Sequence, residues 1–269
     1  MSVNDLAGKV ALVTGTSRNI GGVLASGLAA AGARVACNDL QGKNAEERAK
    51  LIAAAGGEAL AIPFDVTDPE AARRGTSEVI QEWGKIDILV NNAVKFDHAG
   101  VLDMPVERFR QQVDVLVGGA FIMSQLVAKS IIARGGDGSI VNILSTAAWQ
   151  GEAGNIGYST AKAGLINFTR AAAMDLAPYG IRVNSLTPTA TRPDDPELAE
   201  AADGLFASAV SSGVDFNRLH PWNRLPTPTD YVGPLVFLVS AAAAMMTGTN
   251  ITVDGGALAK YWPQIPRRR

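Results

Sequence analysis

Short apolar runs rich in β-branched residues alternate along this chain with longer stretches whose apolar positions recur at helical spacing. Val10–Thr14, Arg34–Asp39, Ala59–Pro63, Ile86–Asn91, Ser139–Leu144, Ile181–Leu186 and Asn250–Val253 read as strands. Between them the spacing predicts helices over Gly22–Ala31, Asn44–Ala55, Pro69–Trp83, Val106–Arg134, Tyr158–Ala177 and Thr229–Ala243. Gly32, Gly56-Gly57 and Gly84 stand where three of these helices should stop. Ile140-Val141-Asn142-Ile143-Leu144 is nearly continuous in its hydrophobicity, as a strand covered on both faces should be. Strict strand-helix alternation implies the α/β class. We expect a doubly wound (Rossmann-type) parallel sheet of about seven strands with helices on both faces, in a single domain spanning 1–269.

One stretch breaks the rhythm. Residues 189–228 are rich in proline and polar residues and join a strand end to a helix. Insertions of that length in a compact domain are usually functional. Ligands of open α/β sheets sit beyond the carboxyl ends of the strands. This segment follows such an end and is expected to cover a substrate; a surface excursion or a contact between subunits is the plainer alternative.

Composition narrows the field. The 269 residues carry 24 basic and 26 acidic side chains, a net charge of −2, so nothing favours nucleic acid. With 47% hydrophobic residues the chain can bury a large core. Cys37 is the only cysteine, which excludes an internal disulfide and asks for no oxidising compartment. No basic stretch followed by an apolar one opens the chain, and no apolar run is long enough to span a bilayer. A soluble, cytoplasmic protein without a membrane partner is expected. His98 and His220 are too scattered for a metal site, and none is assigned. The Arg267-Arg268-Arg269 tail reads as a solvated end.

The chemistry begins at Thr14-Gly15-Thr16-Ser17-Arg18-Asn19-Ile20-Gly21, between the first strand and the first helix. Small residues there let the backbone approach a pyrophosphate, and the helix start supplies N–H donors and positive potential. Gly15, Ser17, Arg18, Asn19, Ile20 and Gly21 are therefore candidate nucleotide contacts. Asp39, with Leu40 beside it, ends the second strand, where a carboxylate can accept from both ribose hydroxyls and repel a 2′-phosphate. Asp39 argues for NAD over NADP; Arg18 pulls the other way. A turn cap is the bland alternative for Asp39. Downstream, Tyr158 and Lys162 are four residues apart, on one face of a helix, with Ser145 ahead of them. An ammonium near a phenol should lower the phenol's pKa and fit it to move an alcohol's proton. Ser145 can hold the same oxygen.

Together these residues resemble the short-chain dehydrogenase/reductase family over essentially the whole chain. The resemblance rests on Thr14–Gly21, Asp65-Val66, Asn91-Asn92-Ala93, Ser145, Tyr158-x-x-x-Lys162, Ile181-Arg182-Val183-Asn184-Ser185 and Val253-Asp254-Gly255-Gly256. It implies that Tyr158 is the acid/base, that Ser145 orients the substrate oxygen, and that Lys162 holds the nicotinamide ribose. It implies adenine contacts from Asp65 and Val66, nicotinamide-side contacts from Asn92 and Ala93, and cover for the carboxamide from Pro188, Thr189 and Thr191. It also implies a homo-oligomer, tetramer or dimer, through faces of Val106–Arg134 and of Tyr231–Met246.

Four positions depart from the family pattern. Asn19 replaces the loop's middle glycine, and Asn tolerates a left-handed backbone. Val94 stands where glycine leaves space, and Thr189 follows Pro188 in place of glycine. Leu116 replaces the asparagine that helps hold a proton-relay water. The leading reading is an NAD(H)-dependent oxidoreductase acting on a small secondary alcohol or ketone. One alternative is an NADPH-dependent 3-oxoacyl-carrier reductase; against it stand Asp39 and the acids Asp194, Asp195, Glu197, Glu200 and Asp203, which would repel an acidic carrier. The other is a dinucleotide-binding protein with little catalysis, motivated by Leu116, Val94 and Thr189. Trp149, Phe96, His98, Met123 and Phe206 are candidates to approach the nicotinamide end, and an apolar, cyclic or aromatic alcohol is the expected substrate.

Overall fold

The computed structural model describes residues 5–211, 220–222 and 224–260. The first four residues, part of the 189–228 insertion and the Arg267–Arg269 tail lie outside the described residues. The strands are β1 (Val10–Thr14), β2 (Arg34–Asn38), β3 (Ala59–Ala61), β4 (Ile88–Asn91), β5 (Gly138–Ile143), β6 (Ile181–Thr187) and β7 (Asn250–Thr252). They form one seven-stranded sheet in the order β3-β2-β1-β4-β5-β6-β7, and every pairing is parallel. The order reverses between β1 and β4, which opens a crevice at their carboxyl ends.

Successive strand residues face opposite layers. Ala11 and Val13 of β1, Ile88 and Val90 of β4, and Val141 and Ile143 of β5 pack on one side. That layer holds α1 (Ile20–Ala30) and the later helix Val232–Val239. Val10, Leu12, Leu89 and Ile140 face the other layer. There they meet α3 (Pro69–Trp83), α5 (Gly119–Ala133) and α6 (Ile156–Leu176). Two-sided burial is why the strands read as apolar without alternation. The remaining helices are α2 (Gly42–Ala54), α4 (Val106–Val113), α7 (Pro196–Ser211) and α8, the Val232–Val239 helix.

Two expectations need correction. The helix expected over Val106–Arg134 is α4 and α5 joined by a π-helical turn, Asp114–Gly118, with Leu116 at its buried centre. The extra residue in that turn shifts the helical register and drives Leu116 inward. Val106–Ala133 is also long and apolar enough, by length and composition, to cross a membrane; here nearly half of it is buried in the fold, as a core helix is. The insertion also contains a helix that no strand-helix spacing assigned, α7, which occupies much of it. Its start was legible: Asp195 accepts from the backbone of Glu197 and Leu198, and Pro196 follows at the first helical position.

Candidate active site

A single trough of about 420 Å³ runs along the carboxyl ends of the strands at the crevice. One end is built by the β1–α1 loop. Gly15 has φ +70, and a Cβ there would lie 2.9 Å from the Cα of Ala93. At Gly21 a Cβ would lie 2.1 Å from the Gly15 carbonyl and 2.2 Å from Asn92 Nδ2. Both positions therefore exclude any side chain, and the loop is a bare-backbone cradle. Asn92 braces it, donating from Nδ2 to the carbonyls of Thr14 and Gly15 at 3.1 and 2.9 Å. Thr14 Oγ1 in turn accepts from the amides of Asn92 and Ala93. The first N–H groups of α1 have no partner within the helix, and its cap residue Asn19 makes no side-chain cap bond. Asn19 has φ −102, so the left-handed tolerance expected to matter there is not used; the left-handed residue is Gly15.

Asp39 follows β2 and lines the same trough. Its Oδ1 accepts from Gln41 N at 3.0 Å and from Asn44 Nδ2 at 3.1 Å, so it caps the turn into α2 as well as facing the trough. The cradle and the carboxylate fit a dinucleotide's pyrophosphate and adenosine ribose.

The other end is set by β5 and α6. Ser145 leaves β5 in extended conformation, and its Oγ accepts from Ala147 N at 3.1 Å, capping a short 3-10 turn. The Tyr158 hydroxyl lies beside the Ser145 side chain, which acts to lower its pKa. Four residues along α6, Lys162 lies buried with Nζ 5.5 Å from the centre of the Tyr158 ring, and Nζ donates to the Ile143 carbonyl at 2.6 Å. Phe96 meets the Tyr158 ring edge-on at 4.6 Å between centroids, and His98 packs on Phe96 in turn.

The electrostatics correct the expected tuning. Burial raises the Tyr158 phenol above its ordinary value, and the Ser145 side chain draws it only partly back. Lys162 is itself lowered to about 7 by burial. The ammonium sits under the ring rather than at the phenol oxygen, so desolvation outweighs its attraction.

The trough brings together Gly15, Ser17, Asn19, Ile20, Gly21, Asp39, Leu40, Asn92, Ser145, Tyr158, Lys162, Pro188 and Thr189. Several expected residues do not line it. Arg18 turns outward to Asp195 and Glu197. Asp65 accepts from its neighbour Thr67 through backbone and hydroxyl. Val66 packs against Gly119, where a Cβ would lie 2.7 Å from it. Ala93 and Val66 instead border a void of about 10 Å³ between Leu116 and Lys162, at the lower limit for one water. Thr191 is turned to the Thr189 carbonyl and the Tyr231 hydroxyl. Trp149 donates from Nε1 to Thr187 Oγ1 at 3.3 Å and leaves much of its ring exposed. Met123 is wholly buried in the core and cannot approach a ligand.

Gln41 and Asn44 also line the trough, and sequence reasoning passed over them. Their signal was position alone, just past a strand end that carries a carboxylate. The acids expected to repel an acidic carrier are mostly neutralised. Asp195 and Glu197 pair with Arg18, Asp203 pairs with Arg192, and Asp194 accepts from Thr229. That argument against an acidic carrier is weakened to the charges of Asp194 and Glu200, and Asp39 carries most of the objection.

A parallel doubly wound sheet with a glycine cradle at its switch point and a Ser-Tyr-Lys cluster beside it defines a nucleotide-dependent oxidoreductase. The comparisons agree. The family model described as "Enoyl-(Acyl carrier protein) reductase" matches residues 15–257. Sorbitol dehydrogenase of Cereibacter sphaeroides is 35% identical over 256 residues, 93% of this chain and 98% of that protein. Among solved structures, a short-chain type dehydrogenase/reductase from Mycobacterium marinum superposes with a TM-score of 0.86 at 35% identity, covering 96% of this chain and 98% of that one. A gluconate 5-dehydrogenase from Burkholderia cenocepacia J2315, solved with NADP and tartrate, has a TM-score of 0.86 at 31% identity, covering 96% and 98%. The chain belongs to the short-chain dehydrogenase/reductase family.

Proposed function

We propose that this dehydrogenase uses NAD to oxidise a secondary hydroxyl of a hydroxyl-rich substrate of the polyol or sugar type, and runs the reverse reduction of the ketone. The observation that carries the reading is the one trough that joins the glycine cradle and Asp39 to Ser145, Tyr158 and Lys162. A nicotinamide held there would supply the hydride acceptor. In the reduction Tyr158 Oη, which burial keeps protonated, gives its proton to the carbonyl oxygen held by Ser145 Oγ as hydride reaches the carbon; in the oxidation the Tyr158 phenolate takes the hydroxyl proton and the hydride leaves as the carbonyl forms. Lys162 holds the nicotinamide ribose and steadies Tyr158 from below. Asp39 accepts from the ribose hydroxyls, and its charge disfavours a 2′-phosphate. Relatives named for sorbitol, threitol and galactitol support a hydroxyl-rich substrate. So does Glu152, whose charge reaches Tyr158. The segment following β6, with α7, covers the substrate. The chain works as a homo-oligomer in the cytoplasm, a reading that the half-exposed Phe121 on α5 and the free, buried Cys37 support.

The test is Tyr158→Phe assayed on a polyol panel. Loss of acid/base catalysis should lower kcat by about 10²–10⁴-fold, with the Kd for NAD nearly unchanged. Undiminished turnover would falsify the assignment, and no turnover by the parent enzyme on any alcohol, with tight NAD binding, would leave a dinucleotide-binding protein.

A further inference from the structure

Arg18 is the only charged residue of the Thr14–Gly21 loop, yet it does not face the trough. Its Nε and Nη2 clamp Asp195 at 3.0, 2.8 and 2.7 Å, and Nη1 donates to Glu197 at 2.9 Å. Asp195 simultaneously caps α7. The nucleotide loop and the start of the insertion's helix are thus tied by one bidentate contact, the strongest form of ion pair. Beside it lies a second cavity, of about 510 Å³, lined in part by Arg18, Asn44, Arg48 and Asp195. Asn44 also lines the trough and bonds Asp39, so the cavity adjoins the ribose end. Arg48 donates from Nη1 to Ser26, while its buried Nε has no partner.

We propose that Asp195, assisted by Glu197, is a cofactor-specificity residue supplied by the insertion. It occupies the guanidinium that a 2′-phosphate would need, so NADP can engage Arg18 only when the start of α7 lets go. Cofactor choice and the seating of α7 are then one equilibrium. NAD leaves the clamp intact. NADP must exchange one Arg18 partner for another and meets Asp39 as well. Asp195 is a positioning residue here, since it acts through Arg18. The inference rests on the reading of Asp39 and the cradle as an NAD site.

The test compares the Kd for NAD and for NADP in the full-length protein, its Asp195→Asn/Glu197→Gln variant, and that variant with Arg18→Ala added. Asparagine retains the helix cap, so α7 is kept. Freeing a charge-assisted donor should tighten NADP binding by about tenfold. NAD binding should change by less than about threefold, and Arg18→Ala should abolish the gain. Parallel changes for both nucleotides, or none for NADP, overturn the proposal. A parent protein that binds NADP more tightly than NAD overturns the NAD reading and this inference together. An NADP affinity that does not rise in the double variant, in a parent that prefers NAD, overturns the clamp alone. A second measurement needs no variant: hydrogen exchange along α7 should be faster with saturating NADP than with NAD. Equal protection by the two nucleotides counts against the clamp.

Discussion

Lys162 shows how far burial can move one side chain. Among the described residues its one hydrogen bond is to the Ile143 carbonyl, and its pKa falls from 10.5 to about 7. Between those values the unfolded chain keeps a proton that the folded chain has released, so this group raises stability as pH climbs from about 7 towards 10.5. Below about 7 both states are protonated and the full cost of burying the charge is present. Cys37 and Tyr231 act in the opposite direction, because burial pushes each up to about 12. They are common to parent and variant, so the difference isolates the lysine. Lys162→Met should be stabilising relative to the parent near pH 6, with that advantage shrinking by pH 9.5. Urea midpoints at the two pH values measure it; a pH-independent difference would refute the buried-charge account. Leu116 belongs to the same scale. It closes the inner side of Lys162 with a hydrocarbon, and the void left there barely admits one water. The proton from Tyr158 is therefore expected to leave by the trough mouth.

At the scale of elements, the sheet is tied at the end opposite the trough by Asp87, in the turn before β4. This almost fully buried carboxylate accepts from Val10 N at 2.9 Å and pairs with Lys85 at 3.0 Å and Arg134 at 2.8 Å. Arg134 also reaches the Asp137 carbonyl ahead of β5. One side chain thus joins β1, β4, the end of α5 and the approach to β5. Removing it strands two partly buried cations and one amide. Asp87→Ala should cost roughly 3 kcal/mol of unfolding free energy, with the Kd for NAD unchanged in the fraction that folds. A loss within about 0.5 kcal/mol, the usual range for an indifferent surface site, would show the tie to be ornamental. A second polar set lies nearer the trough. Asn91 donates to Ser124 and Asn142, and Asn142 donates to Thr169, so β4, β5, α5 and α6 share one buried network. The network sets α6 against the strand ends and so helps place Tyr158.

For the whole molecule, the two ends of the site belong to different halves of the chain. The cradle comes from β1 and α1, the Ser-Tyr-Lys cluster from β5 and α6, and the trough spans the crevice between them. A nucleotide lying there should stabilise the fold as a unit. At about 100 times its Kd, NAD is expected to add about 2.7 kcal/mol, read as an upward shift in Tm. Gly21→Val should abolish that shift, because a side chain at this position collides with the Gly15 carbonyl and Asn92. A variant that still shows the full shift on adding NAD would mean that the nucleotide binds elsewhere.

The order of strands and helices, the two-sided sheet and the cradle were legible in the residues. Each depends on local spacing: an unbroken apolar run, a glycine cluster between strand and helix, a tyrosine and lysine four apart. Asp39 and Ser145 were legible as well, since the end of a strand in a doubly wound sheet has one possible address. Long-range packing decided the rest. The π-helical turn at Leu116 depends on what α4 and α5 pack against, and the Tyr158 pKa on how deeply α6 is seated. Arg18 has a partner 177 residues away in Asp195, and no spacing rule reaches that far. The sequence by itself determined which groups could do the chemistry. Tertiary structure decided which of them face the trough and which are spent on one another, because desolvation and ion pairing act through space rather than along the chain.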